Sequence, residues 1–182
     1  TGMAYYDHIA FPARLQHTMF VADWAQGHIN AVKLERDGAS FKATVTPFLK
    51  GRPLNVTALD VGPDGALYFA TGGRGTDGGI YRVRWSGSAA AKSIRFGQGI
   101  QEALDQPQLE REWARARVAA VKGKLGTRWQ TELERILTDK RNTPHDRLRA
   151  VELLTYFGPQ PKSELLIQLT RDNDPAMRAR VA

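Results

Sequence analysis

Two segments of this sequence repeat one strand-like pattern about 50 residues apart, and this repeat restricts the folds that the chain can adopt. Short apolar runs flank a glycine-containing turn around Phe20 and Val32, and the same arrangement returns around Phe69 and Val83. A repeat of this length made of short strands is typical of β-propeller blades. Ordinary propellers have at least about four blades, and this segment accounts for about two, so we expect an incomplete propeller.

Local signals place the strands of this repeat. Apolar and polar residues alternate from Phe41 to Phe48, which is the period of a half-buried strand. Asp37-Gly38 and Asp64-Gly65 are typical of tight hairpin turns, and Pro63 presets the backbone angle of the second turn. These signals predict strands at residues 5–10, 18–23, 28–35, 41–48, 56–61, 66–71 and 79–85. The first four form a complete four-stranded blade, and the last three form most of another.

Small residues then precede a change to helical periodicity. Residues 86–97 are predicted to be a linker, or a closing fourth strand around Ser93 to Phe96. Apolar residues recur at three- and four-residue spacing from Leu109 onwards, Ser163 is placed to cap one helix, and Asp174-Pro175 is placed to open the last one. The predicted domains are listed in chain order as 1–85, a partial propeller; 86–97, the linker; and 98–182, helical repeats.

The helices contain a weak repeat of their own. Thr143-Pro144 followed by Arg147 matches Asp174-Pro175 followed by Arg178, with an offset of about 30 residues. Paired helices repeating at this scale favour an α-solenoid, and the Asp-Pro opening with its following arginine resembles the second helix of a HEAT repeat. The predicted fold class is therefore β then α, a partial β-propeller followed by a HEAT-like α-helical solenoid.

Composition excludes several kinds of site. The chain has no cysteine, so disulfides, thiolate zinc sites, iron–sulfur clusters and covalent c-type haem cannot be built from these residues. No run of about 18 apolar residues is present, so no transmembrane segment is expected. The sequence opens on Thr1 without a signal-peptide pattern and closes within a helical one, and we expect it to be an excised piece of a longer protein.

The strand segments also carry a family resemblance. Residues 20–34 and 54–83 resemble the C-terminal blades of large planctomycete-type membrane-bound dehydrogenase-like proteins, whose propeller is similar to that of soluble pyrroloquinoline-quinone sugar dehydrogenases. In that family HEAT repeats follow the propeller, and a haem-binding cytochrome c module often comes last. The resemblance covers nearly the whole chain. It implies a periplasmic or otherwise extracytoplasmic parent protein, in which haem c or a quinone is bound outside these residues.

The quinone site itself is not expected to carry over. In the quinone sugar dehydrogenases the corresponding blades supply a lysine and two arginines to the cofactor. The resemblance places Ala25 at the lysine position, and Asn55 and Thr57 at the arginine positions. None of these side chains can make the charged contacts that a tricarboxylate quinone requires. We therefore predict no catalytic, cofactor-binding or metal-binding residue in this chain.

Two hairpins of the strand repeat contain candidates for a ligand-binding rim. Asp23 and Trp24 lie in the first hairpin, and Arg74 and Asp77 lie in the corresponding hairpin of the second blade. Loops on one rim of a propeller commonly line its funnel, where a carboxylate, an indole and a guanidinium suit a polar ligand. In the alternative interpretation, the two aspartates bond turn amides and Arg74 pairs with one of them.

The histidines and the basic residues are two further groups that could form a binding site. The four histidines occur on different predicted elements without the spacing of a metal site: His8, His17, His28 and His145. Most of the net charge of +7 belongs to the helical half, where it suggests a basic surface for nucleic acid or an anionic protein. Acidic residues interleave with these cations, which is typical of solvated helix faces and makes nucleic acid the weakest of the partner hypotheses.

The sequence thus predicts a scaffold or interaction region of a dehydrogenase-like protein, without a complete active site or activity of its own. Its expected partners are the remaining propeller blades and the downstream domains of the same parent. The alternative is a non-catalytic propeller module that binds carbohydrate or protein, and a basic HEAT-type nucleic-acid binder comes third.

Overall fold

The computed structural model describes residues 2–37, 40–87 and 96–182. The chain forms two compact units, Thr1–Ile94 and Arg95–Ala182, which we call the strand unit and the helical unit. In the described residues the strand unit has antiparallel sheets of four and three strands, and the helical unit has six α-helices. The predicted order, strands first and helices second, is confirmed. No helix in the described ranges is long and apolar enough to cross a membrane.

The first sheet is a meander in which each strand pairs with the next one along the chain. Its strands are β1 (Met3–Tyr6), β2 (Thr18–Asp23), β3 (His28–Asp37) and β4 (Ser40–Lys50). Alternate residues of β1, β2 and the first half of β3 are buried, because one face of the sheet packs into the core of the unit. The second half of β3 and most of β4 extend beyond β2 as an exposed two-stranded ribbon.

The second sheet repeats the meander with three strands: β5 (Val56–Val61), β6 (Leu67–Gly73) and β7 (Thr76–Val83). The predicted turn joins β5 to β6, and in it the Asp64 carboxylate accepts a hydrogen bond from the Ala66 amide at 3.1 Å. Gly65 has φ +70°, and a Cβ there would lie 2.3 Å from the Ala10 Cβ, so the turn requires glycine. The fourth strand predicted around Ser93 falls largely on residues 88–95, outside the described ranges.

The core of the strand unit is made of residues from one face of each sheet. We call these two faces the inner faces. The inner face of the first sheet presents Ala4, Tyr6, Phe20, Ala22, Ile29 and Ala31, and that of the second presents Leu59, Val61, Leu67 and Phe69. Tyr6 lies at the centre, stacked on Phe11 at a ring-centroid distance of 4.4 Å, and its hydroxyl donates a 2.6 Å hydrogen bond to the Gly65 carbonyl. Burial of this phenol raises its pKa well above the ordinary value.

The strand ladders align the two sheets differently from the predicted repeat. In the first sheet Val32 pairs with Met19, and in the second Val83 pairs with Leu67. With the two valines aligned, Phe20 therefore corresponds to Tyr68, and Phe69 falls on the opposite face. The one-residue shift arises because Val32 follows its partner Met19 by 13 positions and Val83 follows its partner Leu67 by 16, a difference of three, whereas aligning Phe20 with Phe69 allows a difference of only two. A one-residue shift moves a side chain to the other side of a sheet.

The helical unit is a succession of short helices joined by tight connections: α1 (Ile100–Leu104), α2 (Glu112–Leu125), α3 (Arg128–Thr138), α4 (Pro144–Phe157), α5 (Ser163–Leu169) and α6 (Pro175–Val181). Their apolar residues form one buried cluster around Trp129, which is 1% exposed. The indole Nε1–H of Trp129 donates to the Gly158 carbonyl at 2.9 Å, so the largest side chain of the core also ties α3 to the end of α4.

The two predicted helix-opening motifs cap their helices in the same way. The Thr143 hydroxyl accepts from the Asp146 amide at 3.1 Å, and the Asp174 carboxylate accepts from the Ala176 amide at 2.9 Å. The prediction that Ser163 caps α5 is wrong by one residue. Ser163 is already helical, whereas an N-cap residue needs extended backbone, and Lys162 occupies the cap position without a side-chain cap bond.

Candidate ligand-binding rim

Three loops meet at one end of the strand unit, and we call this end the rim. They are the β2–β3 hairpin, the loop between β4 and β5, and the β6–β7 hairpin. Trp24 joins them: its indole Nε1–H donates to the Gly72 carbonyl at 2.9 Å, and its own carbonyl accepts from the Asn55 side-chain amide at 3.0 Å. Trp24, a half-buried residue of the first hairpin, is therefore bonded to the loop between β4 and β5 and to Gly72 near the end of β6.

Arg74 lies over Trp24, on a backbone that favours glycine. Its φ is +51°, between Gly73 at +92° and Gly75 at +78°. An L-residue in this left-handed region costs about 1–2 kcal/mol, whereas glycine adopts it freely. The guanidinium carbon of Arg74 lies 5.4 Å from the centre of the Trp24 ring, within the range of a cation–π interaction. The strained turn thus holds a cation against the indole.

A cleft of about 690 Å³ opens beside this pair. Its lining includes the neighbouring cross-strand residues Val21 and Asn30, which form the floor, and the full set is Val21, Ala22, Asp23, Trp24, Ala25, Asn30 and Arg74. Asn30 is half-buried, and no protein hydrogen bond to its side-chain amide is formed within the part of the chain that the structure describes. The cleft therefore combines a cation, an amide, a carboxylate and an aromatic surface.

The predicted rim residues divide into two groups. The cleft brings together Asp23, Trp24 and Arg74 but not Asp77, which is exposed near the start of β7. The Asp23 Oδ1 atom accepts from the Gln26 amide at 3.0 Å, as the turn-bonding alternative expects. Within the described ranges Arg74 forms no ion pair with either aspartate, and its contact is the indole instead.

Three contributors to the rim were not found in the sequence. Asn55 is predicted as a replaced quinone ligand, Asn30 falls within a predicted strand, and Gly72 acts through its carbonyl, which leaves no mark on residue type. The Gly-Gly-Arg-Gly run was the available signal, because an arginine between glycines marks a turn in which one side chain has been retained.

The residues that the resemblance places at quinone-ligand positions do not fit a tricarboxylate quinone. Asn55 is engaged with the Trp24 carbonyl, and the Thr57 hydroxyl donates to the Ala70 carbonyl at 3.2 Å. Ala25 and Asn55 line a neighbouring cleft of about 480 Å³, where Arg52 and His28 are the basic side chains. Neutral side chains committed to loop and strand bonds cannot supply the charged forks that three carboxylates need.

The basic residues of the helical unit are largely engaged with nearby groups. Ion pairs join Arg128 to Glu132, Arg141 to Asp139, Arg147 to Asp172, and both Arg149 and Arg180 to Glu152. Other cations lie over aromatic rings: Arg115 over Tyr156 and Phe157, and Arg117 over Phe96 and Trp113. Such pairing is typical of a solvated, internally balanced face.

No group of three or more potential metal ligands occurs in the described parts of the chain. Comparisons with protein-family models, with curated proteins and with solved structures find no match.

Proposed function

We propose that this chain is a scaffold and interaction region of a larger, extracytoplasmic dehydrogenase-like protein, composed of β-propeller blades and HEAT-like helices, without a complete active site. The observation that carries the proposal is which face of the first sheet corresponds to which face of the second. If a two-fold axis related the two sheets, as in a β-sandwich, the inner face of one sheet would correspond to the inner face of the other. In a propeller, successive blades are instead stacked front to back.

The ladders support the front-to-back arrangement. With Val32 aligned to Val83, the Ile29–Ala22 pair on the inner face of the first sheet corresponds to the Ile80–Ala70 pair of the second sheet. Ile29 is fully buried, whereas Ile80 is 83% exposed because it lies on the outer face of the second sheet. Each sheet therefore presents to solvent a face whose counterpart in the other sheet is covered.

Large apolar residues on these open faces support further sheets as their partners. Met3 and Tyr5, on the outer face of the first sheet, are 67% and 50% exposed. Met19, on the same face, corresponds to the fully buried Leu67 of the second sheet. A monomeric surface seldom keeps a contiguous apolar face of this kind uncovered, so we assign further blades of the same parent as its partners.

Self-association of the chain tests this proposal. We expect concentration-dependent association in sedimentation velocity, driven by the open faces, and we expect Met3→Ser with Ile80→Ser to weaken it. The matched control is Ile167→Ser, which replaces a residue that is 60% exposed in the helical unit and should leave association unchanged. A chain that sediments as a monomer at every concentration would contradict the proposal.

A second candidate function is a non-catalytic binding module for carbohydrate or protein. The observation that favours it is the strained Arg74 turn, which holds a guanidinium on Trp24 at the edge of a cleft. Strained backbone concentrates at ligand sites, where the surrounding structure supports it. The floor of the cleft, Val21 and Asn30, lies on the same outer face of the first sheet as Met3, so a blade stacked on that face would cover part of the cleft and the two candidates compete for it.

A further inference from the structure

The conformation of the turn does not explain why residue 74 is an arginine. Glycine suits a φ of +51° better than any L-residue, and the residues on both sides are glycines. The Arg74 side chain closes no ion pair within the described ranges, and it lines the 690 Å³ cleft. An observed backbone strain whose side chain points into a cleft supports a role in binding a ligand.

The groups around the cleft define the chemistry of that ligand. Arg74 offers a planar fork of donors that matches a carboxylate. The Asn30 amide both donates and accepts, and Asp23, with Oδ1 bonded to the Gln26 amide, retains a second oxygen to accept from hydroxyl groups. Trp24, Val21 and Ala25 supply apolar surface. A ligand that uses all of these groups carries one negative charge, several hydroxyls and an apolar ring face.

We propose that the rim cleft binds an acidic sugar, a hexuronate unit, with its carboxylate on Arg74, its hydroxyls on Asp23 and Asn30, and its C–H face against Trp24. This inference rests on the binding-module candidate and specifies its ligand. The Asp23 carboxylate in the same cleft disfavours a doubly charged anion such as phosphate, and a neutral sugar leaves the Arg74 fork unused.

A titration of the full chain followed by NMR tests the ligand class. The reporter is the indole Nε1–H signal of Trp24, assigned by its loss in Trp24→Phe. We expect glucuronate to shift this signal saturably, and glucose and inorganic phosphate to bind at least about tenfold more weakly, because one charge-assisted hydrogen bond contributes about that factor. Equal affinity for glucose and glucuronate would overturn the inference.

Arg74→Gly separates binding from folding, because glycine is favoured at this φ. We expect this variant to keep or raise the thermal midpoint of the strand unit and to weaken glucuronate binding about tenfold or more. The control is Arg36→Ala, which removes the same charge from the exposed end of β3 and should leave the affinity unchanged. Unchanged affinity in Arg74→Gly would contradict the role of the guanidinium.

The outcomes also distinguish this inference from the functions on which it builds. If glucose binds as well as glucuronate, a carbohydrate-binding rim stands and the acidic class is wrong. If none of the three probes moves the Trp24 signal, the carbohydrate-binding rim is wrong as well. The scaffold proposal is judged separately, by the sedimentation of Met3→Ser with Ile80→Ser.

Discussion

The strand unit and the helical unit show the same asymmetry in unrelated architectures. In the strand unit Ile29 is buried by the second sheet, whereas the corresponding Ile80 is 83% exposed. In the helical unit Arg147 of the first helix-opening motif reaches Asp172, just before the second motif, at 2.6 Å, and both side chains are less than a tenth exposed. The corresponding Arg178 is exposed and donates to the Asp172 carbonyl at 2.8 Å.

This parallel shows where the stabilising contacts of each unit are made. In both units the first copy of the repeat is completed by the second copy, and the counterpart in the second copy is left at the surface. Stability in repeat proteins arises largely at interfaces between neighbouring copies. Substitutions at corresponding positions should therefore have unequal effects, and the inequality measures how much each interface contributes.

The largest difference in stability loss between two corresponding substitutions is expected in the helical unit. Arg147→Ala leaves the Asp172 carboxylate buried without its partner, and we expect a loss of about 3–5 kcal/mol in the free energy of unfolding. Arg178→Ala removes only an exposed contact to carbonyls and should cost about 1 kcal/mol or less. Denaturant unfolding followed by circular dichroism in the α-helical region measures both.

A double substitution tests the cause of that loss. Arg147→Met with Asp172→Leu removes both charges and fills their space, so it should recover much of the stability that Arg147→Ala loses. If the double variant is as unstable as the single one, the packing of the arginine stem, and not the unpaired charge, is responsible.

A somewhat smaller inequality is expected between the sheets. Ile29→Ala opens a cavity in a fully buried site and should cost about 2–5 kcal/mol, whereas Ile80→Ala should change stability by about 0.5 kcal/mol or less. Thermal unfolding monitored by circular dichroism in the β-sheet region compares them. Both variants are compared at a concentration at which the chain is monomeric, and comparable losses there would contradict the exposure of Ile80.

The smallest expected effect is a dependence on pH. Hydrogen bonds from Arg147 lower the pKa of Asp172 to about 2, below the ordinary value of about 3.9. As pH falls, the unfolded chain therefore binds a proton before the folded chain does. The stabilisation is complete above about pH 4 and is lost as pH falls towards 2.

Unfolding free energies measured between about pH 2 and pH 6 test this dependence. Asp172→Asn should be less stable than the parent at neutral pH and should flatten the acid limb of the curve. Asp139→Asn is the control: a hydrogen bond from Arg141 also lowers the pKa of Asp139 to about 2, but Arg141 is 91% exposed. Water screens such a pair, so we expect a weaker change. An equal change in both variants would contradict the importance of burial.

The order of elements could be predicted because local signals specify it. The turn dipeptide at Asp64 and the alternation of apolar and polar residues from Phe41 depend only on neighbouring residues. They therefore predict the strands to within a few positions. The register of the repeat is not local: it depends on the number of residues between paired positions of each hairpin, and with Val32 aligned to Val83 the ladders match Phe20 to Tyr68 and not to Phe69. Helix α1 was missed, because five residues are too short to show a period.

The sequence could predict which residues belong to the candidate site, but not the bonds that hold them together. Asp23, Trp24 and Arg74 were selected because they occupy matching hairpins, and the cleft brings them together. Asp77 was selected on the same ground but lies on β7, because the turn closes within the glycines. The bonds from Trp24 to the Gly72 carbonyl and from Asn55 to the Trp24 carbonyl join distant residues through backbone atoms, which no local pattern encodes.

The hydrogen bond from Tyr6 to Gly65 joins residues 59 positions apart, and this separation determines the order of events during synthesis. At about 5–20 residues per second, Tyr6 waits about 3–12 seconds for the turn that contains Gly65. Phe20 and Ile29 are made during that interval, and they lack the second sheet until it ends. Contacts this distant in sequence also form slowly once the chain is complete. The apolar side chains of the first sheet are thus open to other contacts until the second sheet has been made.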